Sequence, residues 1–284
     1  MTIAEAAAAT AAVPEAAWVA SLPCFDLPEL TEAHAVLWRA IAARLGDAGL
    51  GGLPDRLSHP DDLDRHWRSP WLLLSQADAY PYATQLSGIV RLVATPRYRA
   101  HGCSGGRHRG LLVVRRDHPA QRLIDLRGSR GAIDNMQSNT GMNLLRAAVA
   151  PLAIRQRFFG TVQVSGSAAN SLAMIGEDVA DLTVIDCVTY AHLARLRPAL
   201  VEPTRVLAVT AAAPCPPLIT AASQSEPVVT LLRTALKSAL TDSAVADAAN
   251  ALLLTGFEII PDRAYRLIRT HETQAAALGY PNVV

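Results

Sequence analysis

The stretch Ile133-Asp-Asn-Met-Gln-Ser-Asn-Thr-Gly-Met-Asn-Leu-Leu-Arg146 decides how this chain is read. The short apolar run Gly131-Ala-Ile133 has the look of a buried strand end, and residues 135–139 form a polar turn. Met142, Leu144, Leu145, Ala148 and Val149 then recur at helical spacing. Ser138 or Thr140 suits the N-cap. A strand, a polar turn and a helix start aim free backbone N–H groups and the positive end of a helix dipole at one point. Ser138 and Thr140 add hydroxyls, and Gly141 lets an anion approach the backbone closely. No Lys or Arg lies in the turn, so binding there rests on neutral donors. The plainer reading is a capped helix after an ordinary turn.

Composition narrows the possibilities. The 284 residues suggest one large or two small domains. Half of them are hydrophobic and the mean hydropathy is +0.19, enough for a sizeable core. A net charge of +1 gives no electrostatic case for nucleic acid or a membrane surface. Cys24, Cys103, Cys187 and Cys215 make no CxxC or CxxH pattern, so no zinc site and no disulfide framework is expected, although a single bridge stays open. No apolar run is long enough to span a bilayer, so no membrane insertion is expected. Residues 1–17 are Ala-rich with Glu5 and Glu15, and form no recognisable signal peptide. Residues 1–14 read as a disordered or frayed arm.

Outward from the central stretch, strands and helices alternate. Strands are expected at 18–22, 71–74, 90–95, 111–114, 161–164, 179–185, 206–209 and 218–220. Helices are expected at 29–48, 167–174, 188–196, 227–240, 243–254 and 262–278. The first of these carries Leu30, Ala33, Val36, Leu37, Ala40, Ile41 and Leu45 on one stripe. The alternation argues α/β, with mostly parallel sheets flanked by helices. Ligands in such sheets sit at the C-terminal ends of strands. Polar turns occupy five of those ends: 24–26, 76–82, 135–141, 165–167 and 186–190.

Asp125-Leu-Arg-Gly128, a strand, and then Asn135-x-x-Ser138-x-Thr140-Gly141 resemble the substrate-binding proteins of phosphate, phosphite and phosphonate ABC transporters. Ser165-Gly-Ser167 with Ser171-Leu172, Ala180-Asp181 with Asp186, and Leu253-Leu-Thr-Gly-Phe257 fit the same pattern. The resemblance spans about residues 18–280. It implies a type 2 periplasmic-binding fold: one lobe of 15–98 plus 210–284, a second of 99–209, hinge strands near 94–99 and 207–211, and ligand in the interlobe cleft. It puts the oxyanion grip on Ser138, Asn139, Thr140 and Gly141, with Gln76, Tyr80 and Asp186 as further contacts. It implies a periplasmic location and an ABC permease as partner, whereas residues 1–17 leave the cytoplasm as the alternative.

The full set of expected ligand contacts is Ser138, Asn139, Thr140, Gly141, Asp186, Tyr80, Gln76, Cys24, Phe25 and Ser167. Asp186 follows an apolar strand and could pair with a ligand ammonium group, or it could simply cap the next helix. His101, Arg107, His108 and Arg109 form a Gly-rich basic loop that could steer anions or be solvated. The leading function is capture of a small oxyanion-bearing or zwitterionic solute by a monomer, without chemistry, cofactor or metal. One rival is a thiaminase-like transferase on the same fold, with Cys24 or Cys187 as nucleophile. Another is a cytoplasmic ligand sensor. A LysR-type regulator is disfavoured, because no helix-turn-helix segment precedes the lobes.

Overall fold

A computed structural model describes residues 18–284; the expected arm at 1–14 lies outside the described residues. The chain divides into two compact units.

The first unit comprises residues 18–77, Gln85–Arg99 and Cys215–Pro261. Its sheet runs β1 (Val19–Ser21), β2 (Leu72–Gln76), β11 (Leu218–Ala221), β3 (Val90–Tyr98) and β12 (Leu254–Glu258) in that spatial order. β1 and β2 are parallel, whereas β11 and β12 pair antiparallel with their neighbours. Helix α1 (Thr31–Asp47) buries His34, Leu37, Trp38, Ile41 and Leu45, the stripe that helical spacing dictates. It packs on α8 (Glu226–Ala239), whose Val229, Leu232 and Leu236 are fully buried. Each such side chain contributes roughly 1.5–3 kcal/mol of burial free energy. Short helices α2 (Leu63–Trp67) and α9 (Ala246–Ala251) complete this unit.

The second unit comprises Asp78–Thr84, Ala100–Pro214 and Asp262–Val284. Its sheet runs β7 (Thr161–Val164), β6 (Arg130–Ile133), β8 (Leu182–Asp186), β5 (Gly110–Arg115) and β9 (Thr204–Val209). β6 is parallel to both β7 and β8, and β5 is antiparallel to β8 and β9. A two-residue ribbon joins β4 (Arg107–His108) to β10 (Ala213–Pro214). The helices are α3 (Ala79–Thr84), α4 (Leu145–Val149), α5 (Ala168–Gly176), α6 (Cys187–Leu196), α7 (Pro198–Val201) and α10 (Arg266–Ala277). Ile133, Leu145, Val149, Phe158, Phe159, Leu182, Val184 and Tyr280 form the core.

The α/β class is as expected, but the strand pairing is mixed rather than mostly parallel. Three expectations change in detail. Residues 78–84 and 262–284 belong to the second unit, not the first, because Ala275, Tyr280 and Val283 fill its core and Tyr82 packs edge-on against Tyr265. Residues 210–214 go with it too, since β10 pairs with β4. The chain therefore passes between units after Ala77, Thr84, Arg99, Pro214 and Pro261, rather than near 94–99 and 207–211 alone. The helix expected through residue 254 instead ends near Leu252, where Leu253 takes a left-handed φ of 55°. The following residues then form β12 against β3.

Candidate functional site

β6 ends at Ile133, and the next turn leads into a π-helix, Asn139–Leu144, that continues into α4. Ser138 is the N-cap: its Oγ accepts from Gly141 N at 2.9 Å and its carbonyl from Asn143 N at 3.1 Å. The wide i→i+5 turn lets this helix start accommodate two carboxylates. Asp78 Oδ1 accepts from Asn139 N at 3.0 Å and from Tyr80 N at 2.8 Å. Asp134 Oδ1 accepts from Asn135 N at 2.8 Å, and the Ser138 hydroxyl also bonds that carboxyl. A Cβ on Gly141 would lie 2.0 Å from Asp134 Oδ1. The anion that Gly141 admits to the backbone is thus the protein's own.

Asp186 ends β8 and caps α6, with Oδ1 accepting from Val188 N at 2.9 Å and Thr189 N at 2.8 Å. Sheet register places Gly110 opposite it. A Cβ on Gly110 would meet Val184 Cγ1 at 2.6 Å, Thr140 Cγ2 at 2.9 Å and Thr210 Cγ2 at 3.1 Å, so the Thr140 methyl packs on the start of β5. The Ser165–Ser167 turn abuts the same region, because Gly166 N donates to Asp134 O at 3.0 Å. Ser167 caps α5 by accepting from Asn170 N at 3.1 Å.

Three carboxyls of the second unit therefore gather, Asp134 and Asp186 at the ends of β6 and β8 and Asp78 two residues past β2. Loss of hydration raises Asp78 to about 7, and the charges of Asp134 and Asp186 push it the same way. Asp134 rises to about 6 for the same reason, with Asp186 adding repulsion. Burial also raises Asp186, against the N–H groups that favour its charged form. Two polar groups beside these acids have no partner among the described residues. The Thr140 hydroxyl makes no hydrogen bond, and Asn139 Nδ2 is a buried donor with no acceptor. An unsatisfied buried donor such as Asn139 Nδ2 is costly, and a site that awaits a partner is one reason a fold keeps it.

The remaining expected residues are placed as follows. The Tyr80 hydroxyl donates to Glu272 Oε1 at 2.5 Å, and the Arg146 guanidinium carbon sits 5.9 Å from its ring centroid. Burial, and then Glu272, raise the pKa of that phenol. In the first unit, Gln76 Nε2 donates to Tyr98 Oη at 3.1 Å and to Pro216 O at 3.2 Å. Phe25, at a φ of 63°, packs edge-on against Tyr98 with centroids 5.1 Å apart. Gln76 and Phe25 thus meet around Tyr98, with Cys24 in the same turn as Phe25. Two residues on, Asp26 contacts His34 Nδ1 at 3.1 Å and His59 Nδ1 at 3.3 Å.

The basic loop is not a uniformly solvated one. His108 lies buried on β4, neither ring nitrogen has a partner, and burial lowers its pKa to about 4. It is neutral and steers no anion. Arg109 Nη1 is bound to Thr210 O at 2.7 Å. As for the thiols, the neighbouring Cys103 and burial hold Cys187 well above the ordinary thiol range, the opposite of an activated nucleophile.

Sequence reasoning missed Asp78, Asp134 and Tyr98. The two acids carry the signal that singled out Asp186, a carboxylate at or just past the C-terminal end of a strand.

A family model described as the ABC transporter, phosphonate, periplasmic substrate-binding protein matches residues 72–265. The chain belongs to this family. As a phosphonate-family member it is a solute-binding protein of the ABC-transporter type. A search of curated proteins found no match. Among solved structures, the chain is similar to PhnD1 from Prochlorococcus marinus in complex with methylphosphonate, at 10% identity and a TM-score of 0.76, covering 93% of this chain and 99% of that one. It is also similar to PA3383 from Pseudomonas aeruginosa, a binding protein component of an ABC phosphonate transporter, at 12% identity and a TM-score of 0.74, covering 93% and 88%. XAC2383 from Xanthomonas citri, solved with ATP bound, matches at 17% identity and a TM-score of 0.70, covering 92% and 98%. These likenesses bear out the periplasmic-binding fold that the family resemblance implied. No helix among the described residues is long and apolar enough to cross a membrane.

Proposed function

We propose that this chain captures a small zwitterion, such as an aminophosphonate or an amino acid, for delivery to an ABC permease. It works as a periplasmic monomer that does no chemistry on its ligand. One observation carries the reading: three partly buried carboxyls, Asp78, Asp134 and Asp186, lie beside an unpartnered Thr140 hydroxyl at a helix start. The cluster of acids disfavours a bare anion and supplies acceptors for a ligand ammonium group. The hydroxyl, the helix dipole and Asn139 Nδ2 supply donors for the oxyanion end.

This reading redistributes the expected contacts. Ser138 and Ser167 are caps, and Gly141 makes room for Asp134. Thr140, Asn139 and Asp186 face the ligand. A thermal-shift screen of phosphonates, carboxylates and amino acids identifies the class by the ligand that raises the melting temperature most. Thr140→Val keeps the methyl packing on Gly110 and removes the hydroxyl. It weakens the best ligand by about 1–2 kcal/mol in calorimetry, the scale of a hydrogen bond to a charged group. Unchanged affinity removes Thr140 from the site.

A further inference from the structure

Cys103 and Cys187 stand 84 positions apart in the chain, yet their sulfur atoms are 3.4 Å apart. Cys103 lies in a turn closed by its own N–H donating to Ala100 O at 2.9 Å. Cys187 opens α6, and its N–H donates to Arg109 O at 3.0 Å. Between them is Gly102, at a φ of +106°. A Cβ there would lie 3.2 Å from Cys187 Cβ and 3.3 Å from Cys187 Sγ. Only a residue without a side chain lets this turn lie directly on the Cys187 thiol. Cys103 is half-buried, so a reagent can reach it, whereas Cys187 is buried beneath it. The other two cysteines, Cys24 and Cys215, fall in the first unit, so this pair has no competitor within its own.

We propose that Cys103 and Cys187 form a disulfide that pins the loop after Arg99 to the first turn of α6, directly beside Asp186. The oxidant is a disulfide, either of a thiol–disulfide oxidoreductase or of a low-molecular-weight thiol. The Cys103 thiol loses its proton and the thiolate attacks one oxidant sulfur, releasing the other as a thiolate. The Cys187 thiol then loses its proton and attacks Cys103 Sγ, expelling the second oxidant sulfur. Two protein thiols are oxidised with loss of two protons and two electrons, and one oxidant disulfide becomes two thiols. The family is described as periplasmic, a compartment in which such bonds persist. The bond closes a long loop of chain and so restricts the unfolded ensemble.

The test uses the full chain at about pH 8, equilibrated with oxidised glutathione or with dithiothreitol, then unfolded, alkylated, digested and mapped by mass spectrometry. In the oxidised sample the peptides bearing Cys103 and Cys187 appear linked, and Cys24 and Cys215 are alkylated. Reduction lowers the melting temperature by several degrees. Cys103→Ser abolishes both the link and the redox dependence of melting. Three outcomes overturn the proposal: four alkylated thiols after oxidation, glutathione adducts as the end product, or a link joining either residue to Cys24 or Cys215. Mapping the wild-type chain decides the matter even where the variant fails to fold.

Discussion

Asp78 pays for its position in free energy that pH can reveal. Its pKa is about 7 in the folded chain against 3.8 unfolded, so between those values the folded state holds more protons than the unfolded one. Stability from this group is therefore fully present near pH 4 and is lost as pH rises to about 7. His108 works in the opposite direction over part of that range, since its pKa is lowered to about 4 and its contribution falls as pH drops. The wild-type curve mixes the two, and the difference between wild type and Asp78→Asn separates them. An asparagine Oδ1 still accepts from Asn139 N and Tyr80 N. The variant is expected to match wild type near pH 4 and to exceed it by roughly 1–2 kcal/mol above pH 7, measured by urea unfolding across pH. A constant difference across pH means that Asp78 is not desolvated as described. This residue also shows where sequence reading stops. Ser138 and Asp186 were legible as caps because their partners lie within three positions. Asp78 was not, because Asn139 lies 61 positions away and only the fold joins them.

At the scale of elements, the π-helix start is the feature most dependent on one residue. A Cβ at position 141 would sit 2.0 Å from Asp134 Oδ1, and that carboxylate is held by Asn135 N and the Ser138 hydroxyl. Gly141→Ala must therefore displace the Asp134 turn. It is expected to cost at least about 2 kcal/mol in denaturant unfolding, the scale of overpacking, and to weaken ligand binding as well. An alanine variant of wild-type stability contradicts this geometry. The sequence made the strand, turn and helix visible through the apolar run to Ile133 and the spacing of Met142, Leu144 and Leu145. It could not show the π turn, because spacing of 3.6 and 4.4 residues cannot be told apart over six positions. β12 stayed hidden for a related reason: Leu252, Leu253 and Leu254 continue a helical pattern, and only the left-handed Leu253 breaks it.

For the whole molecule, alternation of strand and helix was enough to give the α/β class, because each element's own periodicity records it. Assignment to units was not legible, because it depends on what a distant segment buries. Tyr280 is the sharpest case: it is fully buried among Phe158, Leu182 and other core residues of the second unit, and its hydroxyl donates to Val284 O at 2.6 Å. Tyr280→Ala is expected to cost about 3–5 kcal/mol by chemical denaturation. A loss under about 1 kcal/mol would place residues 262–284 outside that core. The proposed function rests on recognition of a ligand bearing both charges, and calorimetry with a matched pair tests it. An aminoalkylphosphonate and its amine-free counterpart are titrated into the wild-type chain and into Asp186→Asn. The amine-bearing ligand should bind wild type at least about tenfold more tightly, and the variant should lose that preference while keeping the weaker affinity for the amine-free ligand. Equal affinities for the two ligands in wild type, or an equal loss for both in the variant, would contradict the account.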